Sequence, residues 1–188
     1  MSDAPKILAF SGSARRDSLN KKFLAVTAAA AREAGAEVTL IDLTDYPLPI
    51  YHGDLEDEEG LPENAKKLIQ LVSQHHALLV ASPEYNGFIT PLLKNTLDWM
   101  TRDEANPFVG KVAAVVSASP GAFGGLRSQL LAHQLLTKLG CHIVPLLCTL
   151  PRAHQAFDEQ GGLKDEHARK SAQALATELV SLARRLMN

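Results

Sequence analysis

Apolar residues follow two alternating patterns along this chain: short unbroken runs, and longer stretches with a period near that of an α-helix. The runs are Lys6–Ser11 (K-I-L-A-F-S), Glu37–Leu43, Ala77–Ala81, Lys111–Ser117 and Cys141–Leu147. Continuous apolar runs of this length suit strands buried on both faces of a parallel sheet. Between the first two runs, Phe23, Leu24, Thr27, Ala28 and Ala31 recur at helical spacing, with Ser18 as N-cap and Gly35 just past the end near Ala34. A second helix is predicted over Glu63–Ser73, facing inward through Ala65, Leu68, Ile69 and Val72. A third opens at Thr90-Pro91, a capping threonine followed by proline at the first helical position, and runs to about Arg102. A fourth spans roughly Leu126–Leu139, ended by Gly140, and the last steps through Ala168, Ala172, Leu175, Leu179, Leu182 and Leu186.

Strands that alternate with helices in this way predict an α/β fold. Five strands and five helices suit a flavodoxin-like doubly wound parallel sheet of order 2-1-3-4-5, covered by helices on both faces. The 188 residues fit a single domain over 1–188. One segment breaks the pattern. From Thr44 to Pro62, Pro47 and Pro49 oppose a helix, and the acidic run Asp54–Glu59 reads as solvated surface.

Composition narrows the function classes. A net charge of −2 offers no electrostatic footprint for nucleic acid and no polybasic patch for a membrane. The N-terminal residues carry no signal-peptide core, and no apolar run approaches bilayer length. Cys141 and Cys148 lie too far apart along one extended segment to bridge, and two unpaired thiols suggest a reducing, cytoplasmic setting. His75 and His76 are neighbours at a helix-to-strand junction, where adjacent side chains diverge, so no metal pair is expected.

Candidate chemistry gathers in three loops at the carboxyl ends of strands, where open α/β sheets bind ligands. The first, Ser11 to Asn20, offers hydroxyls at Ser11, Ser13 and Ser18, the Asn20 amide, the fixed charge of Arg15 and a helix start. These groups suit a phosphate dianion. A single glycine, Gly12, and no Gly-Lys-Ser/Thr ending point to a monophosphate and away from a dinucleotide or triphosphate. Alone, the loop reads equally well as a polar turn with a capping serine. The second is Ser82-Pro83-Glu84-Tyr85-Asn86-Gly87, and the third runs from Ala118 through Ser119 and Gly121 to Gly124-Gly125. In a 2-1-3-4-5 sheet the three would enclose one crevice at the switch between the first and third strands.

The motifs Gly12-Ser13-Ala14-Arg15 with Ser18 and Asn20, Ser82 to Asn86, Leu93-Lys94-Asn95-Thr96-Leu97-Asp98-Trp99, and Gly124-Gly125 before Leu126-Arg127 resemble the NADPH-dependent FMN reductase family. That family includes quinone, azo-dye and chromate reductases. The resemblance implies bound FMN, NADPH or NADH as hydride donor, and a small-molecule acceptor such as a quinone, azo dye or free flavin. It implies that Ser11, Ser13, Arg15, Ser18 and Asn20 hold the phosphate. Pro83, Glu84, Tyr85 and Asn86 would line the isoalloxazine, largely through backbone N–H groups, and Ser119, Gly121 and Gly124 would close the other side. No side chain need act as acid or base, so no catalytic residue is expected. Phe88 stands where the family has a small residue.

Related reductases pair through the helix after the second loop. Trp99 falls outside that helix's expected core stripe of Leu92, Leu93, Thr96, Leu97 and Met100, which predicts a homodimer or homotetramer through Pro91–Arg102. A flavodoxin-type carrier or a flavin-binding sensor is the alternative; by resemblance, carriers are strongly acidic, and −2 argues against one. A phosphate-ester hydrolase finds no nucleophile–base pair or metal set in the sequence.

Overall fold

The structure, a computed structural model, describes residues 4–187. Its main sheet contains β1 (Lys6–Ser11), β2 (Glu37–Leu40), β3 (Ala77–Ala81) and β6 (Val112–Ala118), all parallel in the order β2-β1-β3-β6. Beyond β6 come two short strands, β7 (His142–Ile143) and β8 (Cys148–Leu150), which pair with its start and its end respectively. The order is the expected 2-1-3-4-5, with the fifth position filled in two pieces.

A turn at Pro145 and a side chain from another element account for that split. Val144 N–H still donates to the Ala113 carbonyl at 2.9 Å, but around Pro145 the chain turns and Leu146 N–H donates back to the Val144 carbonyl at 2.8 Å, leaving the Val115 carbonyl without its ladder donor. Gln129 fills the gap by donating its side-chain N–H to the Val115 carbonyl at 2.7 Å. The second strand is also shorter than expected. It stops at Leu40 because Asp42 turns the chain, its carboxylate accepting from Thr44 N–H at 3.0 Å to start one turn of 3-10 helix over Leu43–Asp45.

Alternate strand residues build two cores. Ile7, Ala9, Leu79 and Val116 join Phe23, Leu24 and Ala28 of α1 (Leu19–Glu33) and Leu175 and Leu179 of α6 (Glu166–Leu186) on one face. Leu8, Phe10, Leu78 and Val115 meet the other three main helices on the opposite face: α3 (Glu63–Ser73), α4 (Pro91–Met100) and α5 (Leu126–Lys138). Removing this apolar surface from water is the main stabilising term.

The segment 44–62 departs from expectation. Its acidic run forms a short helix, α2 (Gly53–Glu59), capped by the His52 ring, and Glu56 pairs with Arg102 at 2.9 Å. The other acidic residues of α2, Asp54, Asp57, Glu58 and Glu59, are exposed. This segment covers the outer side of α4 and corrects the reading of Trp99. The Trp99 side chain is 0% exposed. Its indole N–H donates to the Pro49 carbonyl at 2.8 Å, and the Tyr51 ring meets it edge-on with centroids 5.1 Å apart. Trp99 therefore packs within its own subunit and is unavailable to a partner. The helical wheel missed this because α4 buries two sides, one on the sheet and one under the excursion.

Candidate active site

The first loop is fastened to its neighbours at both ends. Gly12 N–H donates to the Ala81 carbonyl at 2.9 Å, continuing the β1–β3 ladder, and its carbonyl accepts from the Thr90 hydroxyl at 2.6 Å. A Cβ at Gly12 would stand 2.7 Å from that of Leu93, so only glycine lets the loop lie on the start of α4. Ser18 caps α1, accepting from Lys21 N–H at 3.3 Å, and the Ser13 hydroxyl accepts from Arg15 N–H at 3.3 Å. Arg15 is exposed. Ser11 is 2% exposed, and its hydroxyl oxygen has no hydrogen-bond partner among the described residues.

The second loop proves to be a two-stranded hairpin, β4 (Glu84–Tyr85) and β5 (Phe88–Ile89), joined by Asn86-Gly87. Asn86 and Gly87 have φ of 53° and 78°, as a type I′ turn requires. The Asn-Gly pair is a readable sign of such a hairpin. Glu84 accepts from the backbone N–H groups of Arg127 at 3.2 Å and Ser128 at 3.4 Å, and pairs with the Arg127 guanidinium at 3.2 Å. Its carboxylate thus caps α5, whose own N-cap position is Gly125 and carries no side chain to do so. The Ser128 hydroxyl donates to the Pro83 carbonyl at 2.8 Å. Tyr85 is 48% exposed and belongs to neither core.

The third loop is tied to the first by Asn20. Its amide donates to the Ala118 carbonyl at 2.8 Å and accepts from Ala118 N–H at 3.0 Å. Both ends of that side chain are therefore engaged by the backbone at the end of β6. Ser119 accepts from Gly121 N–H at 3.0 Å. Gly124 faces away from the first loop, where a Cβ would meet the Leu150–Pro151 backbone at 2.7 Å.

Together the loops enclose a cleft of about 150 Å³ lined by Ser13, Arg15, Ser18 and Asn20, by Pro83, Glu84 and Tyr85, and by Ser119. It opens at the carboxyl ends of β1, β3 and β6, and the order reverses between β1 and β3. Of the expected residues, Ser11 lies beneath it at the end of β1, Asn86 at the hairpin tip, and Gly121 and Gly124 behind Ser119 in the loop. Ser128, Arg127 and Thr90 position the loops, a role that the sequence shows for none of them, although Arg127 falls in the Leu126-Arg127 motif and Thr90 is a helix cap.

The family model for NADPH-dependent FMN reductase matches residues 5–155. The chain belongs to that family. An NAD(P)H-dependent FMN reductase of Pseudomonas aeruginosa is 37% identical over 99% of both chains. An NAD(P)H:quinone oxidoreductase of Solanum tuberosum is 33% identical over 96% of this chain and 94% of that one. Among solved structures, the flavoenzyme NAD(P)H:(acceptor) oxidoreductase of Paracoccus denitrificans superposes with a TM-score of 0.82 at 28% identity, covering 97% of this chain and 98% of that one. The reductase is thus an FMN-dependent NAD(P)H oxidoreductase with a flavodoxin-like fold.

The residues present fit the flavin phosphate. Two serines, Ser13 and Ser18, the exposed Arg15 guanidinium and the first turn of α1 meet on the cleft lining. The thiols take no part. Burial pushes both Cys141 and Cys148 up to about 12, so neither is a thiolate near neutral pH.

Proposed function

We propose that this cleft holds FMN by its phosphate end and presents the ring at its mouth to NAD(P)H and then to a quinone-class acceptor. The observation that carries the reading is the convergence of Ser13, Arg15, Ser18, Tyr85 and Ser119 on one cleft at the sheet's switch point. At about 150 Å³ it is smaller than the ~300–1,000 Å³ of ligand-enclosing clefts, so the ring would stay open to a second substrate. Bound there, FMN would supply the two-electron chemistry, taking hydride from a nicotinamide and yielding it to the acceptor.

The chain's own residues hold and orient. Ser13 and Ser18 would donate to phosphate oxygens, Arg15 would balance their charge, and Asn20 would brace the first loop against the third. The backbone N–H groups of Pro83–Asn86 other than proline's would face the ring, with Glu84 locking that hairpin to α5. Tyr85, 48% exposed on the cleft lining, offers an apolar wall suited to a flat aromatic acceptor.

The protein should pair as a dimer or tetramer through α4, with the face revised. Ile50 is 83% exposed beside a groove of about 430 Å³ lined by Leu48, Tyr51, Pro91, Leu92 and Asn95. Two unbridged thiols suit the cytoplasm. Purified protein should retain FMN, and stopped-flow mixing with NADPH should bleach it rapidly. Recovery of FAD, or a flavin that stays oxidised in NADPH, would refute the reading.

A further inference from the structure

A cavity of about 530 Å³, larger than the cleft, lies between β8, the segment that follows it and the first turns of α6. Its lining is mixed: Leu150, Pro151 and Ala168 are apolar, and Arg152, Asp165 and His167 are charged or titratable. The wall between cavity and cleft is one loop thick. Ser119 and Pro120 line the cleft, while on the other side Ala153 N–H donates to the Ser119 carbonyl at 3.0 Å and Arg152 N–H to the Gly121 carbonyl at 3.1 Å.

Arg152 is unusual in two respects. Its backbone sits in the left-handed region, φ 47° and ψ 38°, where a non-glycine residue persists only when its surroundings hold it. Its guanidinium makes no hydrogen bond or ion pair with any described residue. A strained backbone thus presents a fixed, unpaired cation in the lining of a cavity beside the cleft.

We propose that this cavity receives the adenosine diphosphate half of the nicotinamide dinucleotide, with Arg152 on the pyrophosphate. The inference rests on reading the cleft as the flavin site served by NAD(P)H. A donor with its nicotinamide at the open ring must lay its other half on nearby surface. The cavity falls within the ~300–1,000 Å³ of small-molecule sites, and Leu150, Pro151 and Ala168 in its lining suit a purine plane. Charge sets the direction. Asp165 repels phosphate, while Glu166 is paired with Lys170 at 2.7 Å, so the pyrophosphate belongs at Arg152, whose N–H joins the loop that borders the cleft. The Asp165 carboxylate, which already accepts from Ala168 N–H at 2.8 Å, has acceptor capacity left for a ribose hydroxyl or an adenine amine.

ADP-ribose, which lacks the nicotinamide, should bind flavin-free and flavin-loaded protein alike in calorimetry. Arg152→Ala, equally strained in its backbone, should weaken that binding at least tenfold without changing FMN content or melting temperature. Ser171→Phe, which fills the cavity from α6, should abolish it. In stopped flow, Arg152→Ala should slow flavin reduction by low NADPH about tenfold and leave N-benzyl-1,4-dihydronicotinamide, which has no adenosine half, unaffected. No ADP-ribose binding, binding indifferent to both substitutions, or equal losses with the two donors would overturn the proposal. Failure to retain FMN would instead overturn the reading of the cleft, since the flavin-free titration reports on the cavity alone.

Discussion

Glu84 lies in the Pro83-Glu84-Tyr85-Asn86 motif, yet its carboxylate is engaged by the start of α5. If that is its role, Glu84→Ala should destabilise the protein with no flavin present. The lost helix cap costs about 0.5–2 kcal/mol. The ion pair adds little, about 0–1 kcal/mol, because the Arg127 side chain is 62% exposed although that of Glu84 is only 15% exposed. A total near 1–2 kcal/mol corresponds to a fall in Tm of about 2–8 °C for a chain of this size. Glu84→Gln keeps an acceptor for the two N–H groups and should recover about half of the loss. The assay is differential scanning calorimetry of flavin-free wild type, Glu84→Ala and Glu84→Gln. If Glu84 instead touched the flavin directly, the flavin-free proteins would melt together and differ only once FMN was added. That result would refute the clamp.

Arg15→Ala should weaken FMN binding by about 1.5–3 kcal/mol, the range for hydrogen bonds to charged groups, and leave riboflavin binding nearly unchanged; equal losses would give Arg15 a structural role. Trp99→Ala removes a fully buried indole and should cost about 3–5 kcal/mol, a Tm drop of about 6–20 °C. Trp99→Phe should cost about 1 kcal/mol, because Asn95 still donates to the Pro49 carbonyl at 2.8 Å. A lower mass in sedimentation with unchanged Tm would instead return Trp99 to an interface. The Arg102 hydrogen bonds, outweighing a lesser opposing effect of burial and aided by the Tyr51 hydroxyl, hold Glu56 below the usual glutamate range. A depressed carboxylate stabilises the fold above its unfolded pKa and loses that contribution as pH falls through its folded value. The excursion over Trp99 should therefore stay docked at neutral pH and loosen only in acid, read by tryptophan fluorescence, with Glu56→Gln abolishing the acid dependence. A transition centred near neutrality would exclude Glu56 as its source.

Most of the fold was legible because strand burial writes itself as unbroken apolar runs. Lys6–Ser11 and Ala77–Ala81 came out residue for residue, and the helices began at their capping residues, Ser18 and Thr90. What failed had non-local causes. The split of the last strand follows from Pro145 together with a glutamine on another element, Gln129, that replaces the missing ladder bond. The environment of Trp99 depends on a segment 50 residues earlier folding over α4. A periodicity argument sees one face of one helix and cannot register a second covering.

The site divides along the same line. Residues that would touch the ligand sit in contiguous motifs, and reading those motifs gathered most of them into one cleft. Residues that hold the motifs in place are scattered, since each tie joins distant loops: Thr90 to Gly12, Asn20 to Ala118, Ser128 to Pro83, Glu84 to the start of α5. Two of these had been assigned to ligand contact, because a polar residue inside a motif looks the same from sequence whether it faces ligand or backbone. The structure separates the cases by asking which polar atoms are already satisfied. Both ends of the Asn20 amide are engaged and the Glu84 carboxylate is shared among three donors, whereas the buried Ser11 hydroxyl has no partner. A satisfied buried group is a brace, and an unsatisfied one at a cleft is a place for a ligand atom. The Ser11 hydroxyl has neither a partner among the described residues nor a place on the cleft lining, so the proposed phosphate site rests on Ser13, Arg15 and Ser18, which do line it.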